Sequence, residues 1–297
     1  MGYLFLCLAL LAGLTKGYCG KRTSGYTAGV REALAANTVR MVLCVLVGFV
    51  LIWAQGDLPL LAVSPTTLAV SALSGAATAV FVVSWLLAVK KGAYMLVEVF
   101  LMLGVLIPMV LGKLLFGETI RLNQWIGMGI LVAATLVMCS YNNSQKQKLT
   151  AAALLLLVLC GVGNGLADFS QKLFVRTLQE TPASVFNFYT YIFSGIVMIA
   201  AFCLLGKRGG SGQPLGQTMK KIVGYIAVMA LCLFANSYFK TLAATKLDSA
   251  QLYPLNQGAA LILSMGMSAL FFKEKVTPKG ILGIVLAFVG LLVMNIL

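Results

Sequence analysis

The 297-residue chain is 60% apolar and only 10% charged, with a mean hydropathy of +0.97, which excludes an ordinary water-soluble domain. Its net charge of +14 comes from lysines and arginines spread over short polar turns rather than gathered on one face or tail, so nucleic acid is not an expected partner. The absence of histidine removes the commonest general base and metal ligand, and the seven cysteines show no CxxC spacing, so no metal or cofactor is expected and the thiols read as small hydrophobes.

Ten apolar spans follow in chain order: 2–20, 33–53, 67–89, 93–115, 124–140, 149–169, 183–205, 222–244, 250–272 and 280–297. Each is near the roughly 20 residues that cross about 30 Å of hydrocarbon as a helix. Residues 68–89 and 151–167 lack the polar stripe of a water-facing helix, so the expected class is an all-α integral membrane protein. The first span lacks a basic lead and a small-residue cleavage site and is expected to stay in the mature chain. The longest connection, 206–221, contains Gly-Gly-Ser-Gly-Gln-Pro and reads as a solvated loop.

Much of the stretch from Gly92 to Met138 is written again 156 residues later. Leu96 falls on Leu252, Met109 on Met265, Phe116 on Phe272, Glu118 on Glu274, Gly127 on Gly283 and Met138 on Met294. Weaker echoes set Arg40 against Asn187 and the G-x-x-x-G pair Gly13/Gly17 against Gly161/Gly165, a spacing that lets helices approach closely. Five spans per copy is an odd number, so the second copy enters the membrane upside down. The expected architecture is ten transmembrane helices as two inverted five-helix repeats, residues 1–140 and 141–297. The odd-numbered loops carry fourteen basic residues and the even loops only Lys113, Arg121, Lys172, Arg176 and Lys246. By the positive-inside rule the odd loops are cytoplasmic and both termini outside.

A charge at membrane depth costs about 2.5–3.5 kcal/mol, so each one needs a reason. Glu98 and Asp168 are the acids read as lying within spans, and both are candidates for proton coupling. The structural alternatives pair Glu98 with Arg40 or Lys240, and Asp168 with Lys16 or Lys172. Arg40 cannot lose its proton and must meet a substrate carboxylate or phosphate, or a fixed partner. Lys240 either joins a site or snorkels to the interface. The amides Asn164, Asn187, Asn236, Asn256 and Gln257 and the phenols Tyr189, Tyr191 and Tyr253 would together line a polar cavity; singly, each is as well explained by an interhelical hydrogen bond. Pro108 and Pro254 are candidate sites of a helix kink or break, and Glu118 and Glu274 read as helix caps.

These features resemble the drug/metabolite transporter superfamily, in particular its EamA-like ten-helix members. The resemblance is carried by Gly13, Arg40, Pro108, Gly117-Glu118 and Gly127, and by Gly165, Glu274 and Gly283. Two departures, Asn187 against Arg40 and Ser264 against Pro108, argue against a second copy of each site. The resemblance implies a secondary transporter, not an enzyme, that moves a small organic metabolite or drug-like solute by alternating access. Coupling to a proton or cation would follow. The cavity would be lined by spans 1–4 and 6–9, with spans 5 and 10 left for packing or homodimer contacts, and both termini inside. The expected setting is the bacterial cytoplasmic membrane. A membrane-embedded enzyme acting on lipid carriers and a non-transporting assembly subunit are the rival readings.

Overall fold

The computed structural model describes residues 1–23, 26–27, 29–90, 94–140, 151–205, 215–272 and 278–296. Glu274 and its turn lie outside them, as does the side chain of Glu98, although the backbone of its helix is described. The described residues fold as α-helices with no strand: α1 Gly2–Thr23, α2 Val30–Gln55, α3 Pro65–Lys90, α4 Tyr94–Gly104, α5 Leu106–Phe116, α6 Leu122–Ser140, α7 Ala151–Thr177, α8 Ala183–Leu205, α9 Leu215–Ala244, α10 Ser249–Phe272 and α11 Pro278–Ile296. Hydrocarbon leaves a backbone no water to bond, so a long apolar run must satisfy its own N–H and C=O groups as a helix. Six helices (α1, α2, α3, α7, α8 and α9) are each long and apolar enough to cross a bilayer. Their outward faces carry side chains such as Leu11, Leu46 and Trp53, and on α10 Leu270 is 78% exposed. The chain is a multi-pass membrane protein.

The fourth span is not one helix. Pro108 deprives the Gly104 carbonyl of its donor, and the helix breaks at Val105 into α4 and α5. Pro254, by contrast, sits inside an unbroken α10. The Gly104 carbonyl faces α7, where a Cβ built on Gly165 would meet it at 2.3 Å, and a Cβ on Gly104 would meet the Gly161 carbonyl at 2.3 Å. Glycine at 104, 161 and 165 is therefore what lets two backbones touch. The matching pair on α1 does something else: Gly13 abuts the Asn236 amide at 3.3 Å and Gly17 the Met267 methyl at 3.6 Å, so that face meets only side chains.

Helix packing follows a pattern of exchange. With α4 and α5 counted together as the fourth span, α1 packs on α9 and α7 on α3; α3 packs on α8 and α9 on α2; α4 and α5 pack on α7 and α10 on α1; α4 packs on α6 and α10 on α11. Three further pairs, α2 with α8, α6 with α11 and the fourth span with α10, map onto themselves. The apolar cores do not follow the halves of the sequence. Of the two largest, one joins α2 and α3 to α8 and α9 around Met41, Cys44 and Phe234; the other joins α5 and α6 to α10 and α11 around Met109, Leu131 and Leu252 and also takes in Leu6 of α1, Met102 of α4 and Ala243 and Ala244 of α9.

Candidate functional site

The turns 117–121, 178–182 and 245–248 lie together at one end of the bundle, where a buried charge network ties them. Gly117, in the left-handed region at φ 66°, closes α5: its N–H reaches the Lys113 carbonyl and that of Glu118 reaches Gly112. This aims the Glu118 carboxylate away from the helix that follows it. Its Oε2 accepts from the backbone N–H of Ser249 at 2.8 Å, so it caps α10 rather than α6. Its Oε1 meets Lys172 Nζ at 2.7 Å and Arg176 at 3.0 Å. Lys172, 1% exposed, completes its donors on the carbonyls of Leu247 at 2.7 Å and Ala244 at 3.4 Å. Burial pushes the Glu118 carboxyl up, but hydrogen bonds from Lys172, the Ser249 amide and Arg176 outweigh it and hold the group below the usual carboxylate range. A cleft of about 570 Å³ opens beside this network, and its Arg176 and Asp248 pair with each other at 3.3 Å.

Further into the bundle, Asp168 pairs with Lys240 at 2.5 Å, the two side chains 6% and 13% exposed. The Tyr253 hydroxyl donates to the Asp168 carbonyl at 2.7 Å, bringing α10 against α7. Beside them Asn187 donates to Ala183 and to Thr241 and accepts from the Ser237 hydroxyl, which in turn accepts from Gln171. Interhelical bonds of this kind are each worth about 0.6 kcal/mol.

Two cations lie further from their helix ends than Lys172 and Lys240 and differ from both. Arg40 is ten residues past Val30 in α2, about 15 Å along the axis, and Lys16 is seven residues, about 10 Å, short of the end of α1 at Thr23. Both are half-buried. Packing fixes their level: Cys44, one turn beyond Arg40, bonds the Ala230 carbonyl of α9, while the Ala9 carbonyl and Gly13 of α1 flank Asn236 of the same helix. Lys16 is within electrostatic reach of both Arg40 and Lys240. Neither Lys16 nor Arg40 has a carboxylate acting on it among the described residues, and the Arg40 Nε is buried without a hydrogen-bond partner. Two amide atoms near Asp168 are also unsatisfied, Asn164 Nδ2 one turn earlier on α7 and Asn256 Oδ1 three residues beyond Tyr253 on α10.

This broken-helix bundle with a polar interior can be set beside known proteins. The model of the EamA-like transporter family, which is the drug/metabolite transporter superfamily, matches residues 150–296. The chain belongs to this family. Its members are transporters rather than enzymes, and the all-helical, multi-pass architecture fits them. No curated protein matches the chain. Among solved structures, one crystal structure superposes with a TM-score of 0.75 at 16% identity, covering 99% of this chain and 96% of that one, and so shares the fold.

Against the EamA-like expectation, the sequence-predicted residues fall into two groups. Arg40, Asn164 and Asn256 keep unsatisfied polar atoms in the interior, and Gln257 is half-buried on α10. Asn187, Tyr189, Tyr191, Asn236 and Tyr253 direct their donors to the protein itself: Tyr189 to the Leu61 carbonyl at 2.7 Å, Tyr191 to that of Leu233 at 3.2 Å, and Asn236 to that of Ala9 at 2.6 Å. Asn236 and Lys240 therefore serve different neighbours, α1 and α7, although they are one turn apart. Asp168 pairs with Lys240 and not with Lys16 or Lys172, the partners expected from the sequence, because Lys172 is held by Glu118 and Lys240 comes closer. For the same reason Lys240 does not snorkel.

Two residues escaped the sequence reading. In the sequence Lys16 stands four residues from the end of the expected span 2–20 and reads only as an edge partner for Asp168; α1 runs on to Thr23 and places it further in. Glu32 lay just before the expected second span; α2 starts at Val30, three residues earlier than predicted, and buries Glu32 to 1% exposure in its first turn.

Proposed function

We propose that the chain is a carrier that moves a small organic solute across the membrane by alternating access, built from two five-helix units, residues 1–140 and 141–297, of opposite orientation. The observation that supports this reading is the exchange pattern of helix packing, in which almost every contact recurs with its two spans shifted by five. The moving bodies are not the two sequence repeats, since each apolar core takes helices from both. They are instead the α2/α3/α8/α9 core, with α1 and α7 against it, and the α5/α6/α10/α11 core. Contacts that tie one body to the other must part when the end carrying Glu118 opens: Lys172 with Glu118, Arg176 with Asp248, and Tyr253 with Asp168.

Coupling to protons is assigned to Asp168. Its carboxylate already holds a cation, so protonation would release Lys240 and loosen α7 from α9. Glu98, on α4, is the second candidate. The purified chain in liposomes should take up at least one solute of a metabolite panel saturably, and an imposed pH gradient should drive it. Asp168→Asn should lower gradient-driven uptake at least tenfold while counterflow at equal pH persists, an order of magnitude in keeping with the loss of an essential proton carrier. Unchanged gradient-driven uptake in that variant would move the coupling to Glu98, where Glu98→Gln gives the same readout. A correctly folded chain that carries nothing from the panel would defeat the carrier reading.

A further inference from the structure

We infer that the solute is a small organic oxyanion with two negative charges, a phosphate monoester or a dicarboxylate, bound between Lys16 and Arg40; this rests on the carrier reading above. The reason lies in how this protein treats its other buried cations. Lys172 has one carboxylate and two carbonyls, and Lys240 has Asp168. A cation kept only for structure is given such partners, because an unanswered charge in hydrocarbon is costly and nothing in the fold repays it. Lys16 and Arg40 lie further from their helix ends than either and have no such partner among the described residues.

Charge decides the valence. Arg40 and Lys240 both act on Lys16, and Asp168 cancels one of the three, which leaves two positive charges among the described residues. Glu32, eight residues before Arg40 on the same helix, has interactions of its own and does not act on either cation. Geometry decides the chemistry. A guanidinium with a free Nε–H and an ammonium form directed bonds to oxygen, which favours carboxylate or phosphate over a halide. The unpaired Asn164 amide is a further donor, and the unpaired Asn256 carbonyl oxygen accepts from a hydroxyl on the organic part of the solute.

The test is the thermal stability of the purified full chain in neutral detergent at pH 7.5. The probes are glycerol 3-phosphate and malonate, with sodium chloride at matched ionic strength, choline chloride and glycerol as controls. One or both dianions should raise Tm saturably by about 3 °C, and the controls should not. Arg40→Gln and Lys16→Gln should abolish the rise, weakening binding about tenfold or more. Each should melt, ligand-free, at or above the wild-type temperature, because an unanswered charge has been removed.

A ligand-free melt several degrees below wild type in both variants would mean the cations are structural and would overturn the assignment. A rise that survives in both variants, or no rise with any dianion, would do the same. Phosphatidylglycerol in mixed micelles distinguishes a lipid headgroup: a rise with it and none with the soluble dianions overturns a soluble solute. Liposome exchange separates the two proposals. Dianion binding without flux leaves the site and removes the carrier, whereas flux of an uncharged solute that ignores both substitutions leaves the carrier and removes the oxyanion.

Discussion

Replacing Glu118 with alanine should destabilise the protein by about 3–5 kcal/mol, the cost of leaving a buried charge without its partner. Lys172 is 1% exposed and would keep only the carbonyls of Leu247 and Ala244, while the N-terminus of α10 at Ser249 would lose its acceptor. Thermal unfolding in detergent should show a fall on the order of 10 °C. Adding Lys172→Met should recover part of it, because removing both charges costs less than stranding one. A single substitution that melts with wild type would mean that water replaces the carboxylate and that this end of the bundle is wet. Acid should have the same effect as the substitution. The carboxyl lies below its ordinary value of 4.5 in the folded chain, so its contribution is complete above about pH 4.5 and is lost as pH falls through the folded value. Wild type should therefore lose more stability than Glu118→Ala on acidification across that window.

The second large effect is expected where α4 crosses α7. Gly165→Val should cost more than about 3 kcal/mol, beyond the usual range for overpacking, since the first carbon added lies 2.3 Å from a backbone carbonyl that cannot rotate away. Gly17→Ala, in the matching motif on α1, meets a methionine methyl at 3.6 Å and should leave the melting temperature within a degree or two. Comparing the two by fluorescence-detected size exclusion after heating gives the answer directly. Equal tolerance at both positions would mean that the helices can slide apart and that the crossing is not tight.

That contrast also marks where reading the chain stops being enough. Gly13/Gly17 and Gly161/Gly165 are the same motif, yet one faces side chains and the other a backbone. Pro108 and Pro254 occupy copies of one repeat element, yet one divides its span at Val105 and the other leaves α10 whole. The sixth span was expected to end at Phe169, but α7 runs to Thr177, because Gln171 and Lys172 find buried partners on other helices that no local pattern announces. Glu118 was legible as a cap; that it caps α10 was not.

By itself the order of residues determined the solvent and the helical class, and it carries the identities at a fixed offset on which the proposed repeat rests. Each of these depends on local quantities: the length of an apolar run, the need of a backbone in hydrocarbon to bond within its own helix, and identity at a fixed offset. Tertiary structure alone decided which charges are answered. Lys16, Arg40, Lys172 and Lys240 all read as basic letters within or beside apolar spans, and only the packing of α7 against the Glu118 turn and of α9 against α7 gives two of them carboxylates, while the other two have none among the described residues. Pairing falls off within a few ångströms in distance but has no range in sequence, and that is why the site became visible only once the helices were packed.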